Sequence, residues 1–229
     1  VHKISGASEI EDYLKNIRID FLVQDLVDQP CEFGVFYRRF PQDVDGRVTS
    51  VVVKEMLSVT GDGRSTLRDL ILRRNRAKLQ WPQLRQKFEA TLDEIIPEGK
   101  SIELVSIGNH ALGTKFLDGS YLINDELSKA FDEISKQVDG FYYGRFDVRC
   151  NCAADLYKGK FLIMELNGCG AEPAHIYQPG FGLFNAYKVM FRHWRNIFEI
   201  SRANRARGVR LISLKEARGF YKKFKAATR

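Results

Sequence analysis

The chain has 229 residues, a mass of 26.3 kDa and 44% hydrophobic residues, which bounds it to one large domain or two small ones. Its apolar runs are short and broken by charge, so none reaches the roughly 20 residues of a membrane-crossing helix. The net charge of +7 sits almost wholly in residues 205–229, with nine Lys/Arg and one Glu; a helix with a solvated basic face is the reading these residues favour over nucleic-acid or membrane binding.

In chain order, "SGASEIEDYLKNI" places Ile10, Tyr13, Leu14 and Ile17 at helical spacing behind small, cap-forming residues. "IDFLVQDLVDQPCEFGVFYRRFP" and "GRVTSVVVKEMLSV" are rich in β-branched and aromatic residues on either side of a turn-forming "PQDVDG", which predicts a strand-rich block. "GDGRSTLRDLI" then changes period, with Ser65 as N-cap and Leu67, Leu70 and Ile71 on one face. Its resemblance to a phosphate-binding loop is superficial, because the GxxxxGK[ST] spacing is missing.

Leu84, Phe88, Leu92 and Ile95 predict another helix, and "KSIELVSI" a short strand. After the loop "GNHALGTKFLDGS", a helix capped by Asn124 carries Leu127, Phe131 and Ile134. Two strands follow, over 141–150 and 161–168. A long helix ends near Gly208, where Phe184, Tyr187, Phe191, Trp194 and Phe198 read as a core-packing stripe. No repeat or low-complexity run is present, and the mixture lacks regular βαβ alternation, so the fold class is α+β.

The strands over 141–168 carry the chemistry. Alternation puts Tyr143, Arg145, Asp147 and Arg149 on one face of the first, and Phe161, Ile163, Glu165 and Asn167 on one face of the second. "LYKGK" between them predicts a hairpin turn and antiparallel pairing. If the polar faces coincide, Asp147, Glu165 and Asn167 offer three oxygen donors suited to a hard cation such as Mg²⁺, with Arg145 beside them for anionic oxygens. A solvent-facing hairpin with cross-strand ion pairs accounts for the same spacing. The loop "LNGCGAEPAHIYQPG" that follows is more typical of a site than of a surface hairpin, and His175 lies within it, as a site residue or as an ordinary loop histidine. Lys54 reads either as a phosphate contact or as an edge-strand lysine. Four cysteines, Cys31, Cys150, Cys152 and Cys169, without a CxxC pair fit a reducing cytoplasm, and the Cys150/Cys152 pair lacks usual zinc spacing. The first residues show no secretory pattern.

Three stretches together resemble the ATP-grasp superfamily of carboxylate–amine or carboxylate–thiol ligases, which includes D-alanine–D-alanine ligase, glutathione synthetase and cyanophycin synthetase. They are "GRFDVR" followed by "FLIMELNG", "FLVQDLVDQPCEFGV", and "VTGDGRSTLRDLI". The resemblance implies ATP and Mg²⁺ (with Mn²⁺ as a possible substitute), metal ligands Asp147, Glu165 and Asn167, and Arg145 against an acyl-phosphate. It further implies an adenine-holding hinge at Gln24, Asp25, Leu26 and Val27, a ribose-binding Glu32, and nucleotide contacts from Lys54. "GNHALGT" stands where such proteins carry a phosphate-contacting loop, which makes Asn109 a catalytic candidate and His110 and Lys115 nucleotide contacts. His110 and Lys115 depart from that loop's usual Gly-Gly pattern. The implied activity is ligation of an unidentified carboxylate to an amine or thiol, in a soluble cytoplasmic protein with neither membrane nor nucleic acid as partner.

The resemblance covers residues 1–204 as an ATP-grasp domain with a helical insertion at 60–100, leaving 205–229 as a basic helical tail. It implies N-terminal truncation, because "VHKIS" begins where the family's glycine-rich loop should have ended, so the upstream lysines and substrate domain are absent. The fragment alone is then expected to be inactive, although the parent is an enzyme. The alternative reading is a non-catalytic nucleotide-binding or regulatory module of the same fold.

Overall fold

The computed structural model describes residues 3–4, 6–106 and 108–227. The chain divides into two units, one formed by residues 29–203 and the other by residues 1–28 together with 204–229. The segment 1–28 thus groups with the basic tail and not with the segment that follows it.

The 29–203 unit is built on a five-stranded sheet in the order β5-β2-β1-β6-β7, with every neighbouring pair antiparallel. Its strands are β1 (Cys31–Arg38), β2 (Arg47–Glu55), β5 (Lys115–Asp118), β6 (Tyr143–Cys150) and β7 (Leu162–Asn167). One face is apolar: Phe33, Val35, Tyr37, Val51, Phe146 and Val148 pack on Leu127 and Phe131 of α5 (Asp125–Ser135) and on Leu156 of α6 (Ala154–Tyr157). As predicted, Asn124 caps α5, its side chain accepting from the Leu127 N–H at 2.8 Å.

A second cluster occupies residues 57–104. The two-stranded sheet β3 (Ser58–Thr60) with β4 (Ser101–Glu103) packs on α2 (Leu67–Arg73), α3 (Asn75–Lys78) and α4 (Trp81–Lys87) through Leu57, Val59, Leu67, Ile71, Leu84, Leu92 and Leu104. The cap of α2 is Thr66, in a reciprocal box with Asp69, and not the expected Ser65. Ser65 is held instead by Asp62, which accepts from its N–H and its hydroxyl at 2.7 Å each. These bonds lower the Asp62 carboxyl to about 2 and explain "GDGRST" as a turn. The predicted helix over 81–95 stops at Lys87, and Ile96 enters the core while Ile95 is exposed.

The long helix α7 (Leu183–Ala206) ends just before Gly208, whose φ of +90° suits a residue without a Cβ. Its buried residues are His193, Asn196 and Ile200. The aromatic stripe expected to fill the core is exposed instead, with Phe184 at 90%. Aromatic spacing defines a helix face, but it does not decide which face is buried.

In the other unit, α1 (Ala7–Asn16) and α8 (Leu214–Ala227) are helical and residues 18–28 form no strand. Strand β1 begins only at Cys31, so the expected strand block loses its first third.

Candidate functional site

The face of the sheet opposite α5 is polar in its middle, and strand register explains why. In antiparallel pairs directly opposed residues share a face. Glu32 pairs with Lys54 on one side and Arg149 on the other, Gly34 with Val52 and Asp147, and Phe36 with Ser50 and Arg145. Arg145 in turn opposes Asn167, and Asp147 opposes Glu165. Four strands therefore bring Glu32, Lys54, Arg145, Asp147, Arg149, Glu165 and Asn167 onto one surface.

Within it, five charges form a continuous network. Lys54 Nζ lies 2.8 Å from Glu32 Oε1 and 3.4 Å from Asp147 Oδ2. Arg149 holds Glu32 Oε2 through Nε at 2.9 Å and through a terminal nitrogen at 2.8 Å, and donates to the Ser106 carbonyl. Arg145 grips both Asp147 oxygens, at 2.8 and 3.1 Å. Glu32 is 4% exposed, Asp147 5% and the Lys54 side chain 5%. Lys54, Glu32 and Asp147 are buried and the two guanidiniums are partly exposed, with the Glu165 carboxylate exposed on the same surface.

Two glycines make room for it. A Cβ on Gly34 would stand 2.6 Å from Val52 Cγ1 and 3.1 Å from Asp147 Oδ1. Gly34→Ala is expected to cost about 1–3 kcal/mol through overpacking, read as a lower urea midpoint at unchanged slope. Gly108 lies so close above Glu32 and Lys54 that any Cβ would collide with the Glu32 carboxylate. The loop "GNHALGT" is thus laid over the network.

Lys54 is no edge-strand lysine: β2 lies inside the sheet, covered by β5, and the ammonium is buried among carboxylates. Each Glu32 carboxylate oxygen accepts from a cation, Oε1 from Lys54 and Oε2 from Arg149. Asn109 is exposed and caps the 3₁₀ turn 110–112, accepting from the Ala111 N–H at 2.9 Å. The His110 ring sits against Phe116, 5.4 Å between centroids, and Phe116 in turn lies 5.8 Å from Lys54 Nζ, which places His110 beside the network. Lys115 falls on the other face of β5 from Phe116 and pairs with Glu55. Gln24, Asp25, Leu26 and Val27 belong to the other unit and have no strand structure.

Strand β7 is an edge strand, and a bulge between Asp147 and Val148 of β6 shifts its register. Glu165 and Asn167 keep the face of Asp147, but Ile163 turns to the face of Val148, contrary to strict alternation. The connection from β6 to β7 is the α6 turn with Gly159 at φ +64°, and not a tight hairpin.

The donor set for a cation has mixed character. Among the described residues no three His, Cys, Asp or Glu side chains cluster as metal ligands. What the register does bring together is two carboxylates and the Asn167 amide, whose Nδ2 is buried without a hydrogen-bond partner. Two carboxylates and the amide oxygen of Asn167 are the oxygen donors a hard cation takes while keeping its other positions for water or phosphate, although Asp147 must share its oxygens with Arg145 and Lys54.

On the same face, past the charged network, pack two buried histidines. His175 Nδ1 contacts Ser50 Oγ at 2.6 Å, and His193 Nδ1 contacts the Tyr143 hydroxyl at 2.9 Å, edge-on to Phe36. Burial lowers both histidines, His193 to about 4. Arg149, Gly34 and Gly108 were not singled out from the sequence. Arg149 was visible in the same alternation as Arg145 and Asp147, whereas Gly34 and Gly108 carry no signal without their neighbours.

The comparisons with known proteins agree with the class that the sequence suggests. No family model matches. The chain is similar to curated proteins of glutathione biosynthesis. The bifunctional glutathione biosynthesis protein GshAB of Streptococcus mutans is 30% identical over 139 residues, and that of Streptococcus thermophilus is 28% identical over 142. Each match covers 50% of this chain and 18% of the relative, so the chain spans under a fifth of the curated proteins it resembles. A bifunctional glutathione synthetase from Pasteurella multocida superposes with a TM-score of 0.41 at 15% identity, over 65% of this chain and 22% of that one. Among the described residues no helix is long and apolar enough to cross a membrane.

Proposed function

We propose that this chain is the nucleotide- and metal-binding part of an ATP- and Mg²⁺-dependent ligase that joins a carboxylate to an amine or thiol. The observation that carries this reading is the network of Glu32, Lys54, Arg145, Asp147 and Arg149, with three cations gathered on one face, beneath a loop that touches it at Gly108. Its two partly exposed guanidiniums can donate to the oxygens of an arriving polyphosphate. Its relation to proteins of glutathione biosynthesis supports the ligase class.

On this reading Lys54 and Arg145 bind phosphate oxygens, and Glu32 and Asp147 hold those cations in place before the nucleotide arrives. ATP transfers its terminal phosphoryl group to the substrate carboxylate. The amine or thiol then attacks the acyl carbon, and phosphate leaves with the electron pair of the broken C–O bond. Arg145 steadies charge on the acyl-phosphate. Asp147, Glu165 and Asn167 would hold Mg²⁺, which supplies charge compensation for the triphosphate.

Calorimetric titration of the chain with ATP, with and without Mg²⁺, tests the reading. Glu165→Gln, at an exposed position, is expected to weaken the Mg²⁺-dependent part of ATP affinity about tenfold and to leave the melting temperature unchanged. ATP affinity indifferent to Mg²⁺ in the unaltered chain would sink the metal assignment. The prior engagement of both Asp147 oxygens by Arg145 favours a second reading, a nucleotide-binding module without catalysis. Mg²⁺-dependent ATP binding without ADP release by the longer parent, across amino acids and dipeptides, would select it.

A further inference from the structure

We propose that α8, the aromatic and basic helix Leu214–Ala227, is a docking surface for an anionic lipid bilayer. At 100° per residue, Leu214, Ala217, Phe220, Tyr221 and Phe224 fall within about a third of the helix circumference. Arg218 and Lys225 run along one edge of that arc, and Lys215, Lys222 and Lys223 fill the remainder. Leu214, Phe220, Tyr221 and Phe224 are 58–79% exposed, and no described residue of α8 is buried. A 14-residue helix this exposed is marginal in water by itself, and its amphipathic pattern suits an apolar–polar boundary.

Charge identifies that surface. The only acid of the helix, Glu216, is consumed at its start: it accepts from the Ser213 N–H at 2.8 Å and pairs with Arg210 at 2.8 Å, which lowers its carboxyl to about 2. What α8 offers outward is therefore cationic. A basic face bordering a separate arc of Phe, Tyr and Leu matches an interface of anionic headgroups over acyl chains. Nucleic acid would engage the charge and leave the aromatic arc wet. The long basic stems can reach headgroups while the rings enter the boundary. The same pairing recurs independently on α7, where exposed Phe184, Tyr187, Phe191, Trp194 and Phe198 run beside Lys188, Arg192 and Arg195.

Co-sedimentation of the full chain with phosphatidylcholine vesicles, with or without about one-third phosphatidylglycerol, tests the proposal. Pelleting is expected with the anionic vesicles only and is expected to fall as salt rises. Phe220→Ser with Phe224→Ser, and separately Lys222→Glu with Lys223→Glu, should each reduce the partition coefficient about tenfold or more. Both pairs are exposed, so near-ultraviolet circular dichroism should not change. Absence of pelleting by the unaltered chain overturns the proposal, as does equal pelleting by the phenylalanine variant or with neutral vesicles. Binding to a short DNA duplex that survives loss of the phenylalanines, without vesicle binding, would assign the helix to nucleic acid instead.

Discussion

Glu32→Ala is expected to lower the unfolding free energy by about 3–5 kcal/mol, the range for removing one partner of a buried ion pair. The reason lies in what stays behind. Arg149 loses both of its hydrogen bonds to the Glu32 carboxylate, and Lys54 keeps Asp147, at 3.4 Å. A buried ammonium and two partly exposed guanidiniums would then face Asp147 alone of the network's two carboxylates. With total stability of about 5–15 kcal/mol, such a loss is a large share of the fold. Urea unfolding followed by far-ultraviolet circular dichroism measures it. Replacing Glu32 and Lys54 together by methionine should restore much of the loss, since matched apolar residues do not carry the desolvation cost of the pair. A cost below about 1 kcal/mol for Glu32→Ala would mean that the network behaves as a solvated surface cluster, and would remove the argument for a preformed anion site.

The network also shows what the amino-acid order could and could not reveal. Alternation along Tyr143–Cys150 was enough to place Arg145, Asp147 and Arg149 on one face, because period two is a local property. Partnership is not local. Lys54 and Glu32 meet because β2 and β1 pair in one register, and Arg149 meets Glu32 because β6 takes the other side of β1. Without those pairings Lys54 was open to a reading as an edge residue.

The bulge at Asp147/Val148 is equally invisible in "FLIMELNG", yet it decides that Ile163 and Glu165 part company. For α7, the 3.6-residue period correctly gave a long amphipathic helix. Its buried side, however, is defined by His193, Asn196 and Ile200 against Phe36 and Tyr143, residues distant in sequence. The segment "FLVQDLV" has high strand propensity, but Pro30 follows it, and ladder pairing starts only at Cys31.

The histidine beside the site gives the second large effect, a loss of stability on acidification. His193 is 3% exposed, packed edge-on to Phe36, with Tyr143 at its Nδ1. Burial is the main cause of its low basicity, and the nearby His175, Arg192 and Arg38 act in the same direction. A histidine that titrates at about 4 when folded and near 6.5 when unfolded binds its proton more readily in the unfolded chain. Folding stability is therefore unaffected above pH 6.5, falls progressively below it, and levels off only near pH 4. The loss from this one group is about 2 kcal/mol at pH 5 and about 3 kcal/mol once the window is passed. His175, also lowered by burial but opposed by Asp118, adds to the loss with the same sign. Urea midpoints measured between pH 7.5 and pH 5, with His193→Gln as the comparison, isolate the contribution. The variant is expected to be less stable at neutral pH, because the Tyr143 bond and the ring contacts change, and also to have a shallower pH slope. Parallel slopes for variant and unaltered chain would show that His193 does not carry the acid sensitivity. Since His193 packs on Phe36, whose strand neighbour on the same face is Arg145, acidification in this window should also loosen the packing beside the phosphate-binding residues. ATP affinity is then expected to decline in parallel with stability.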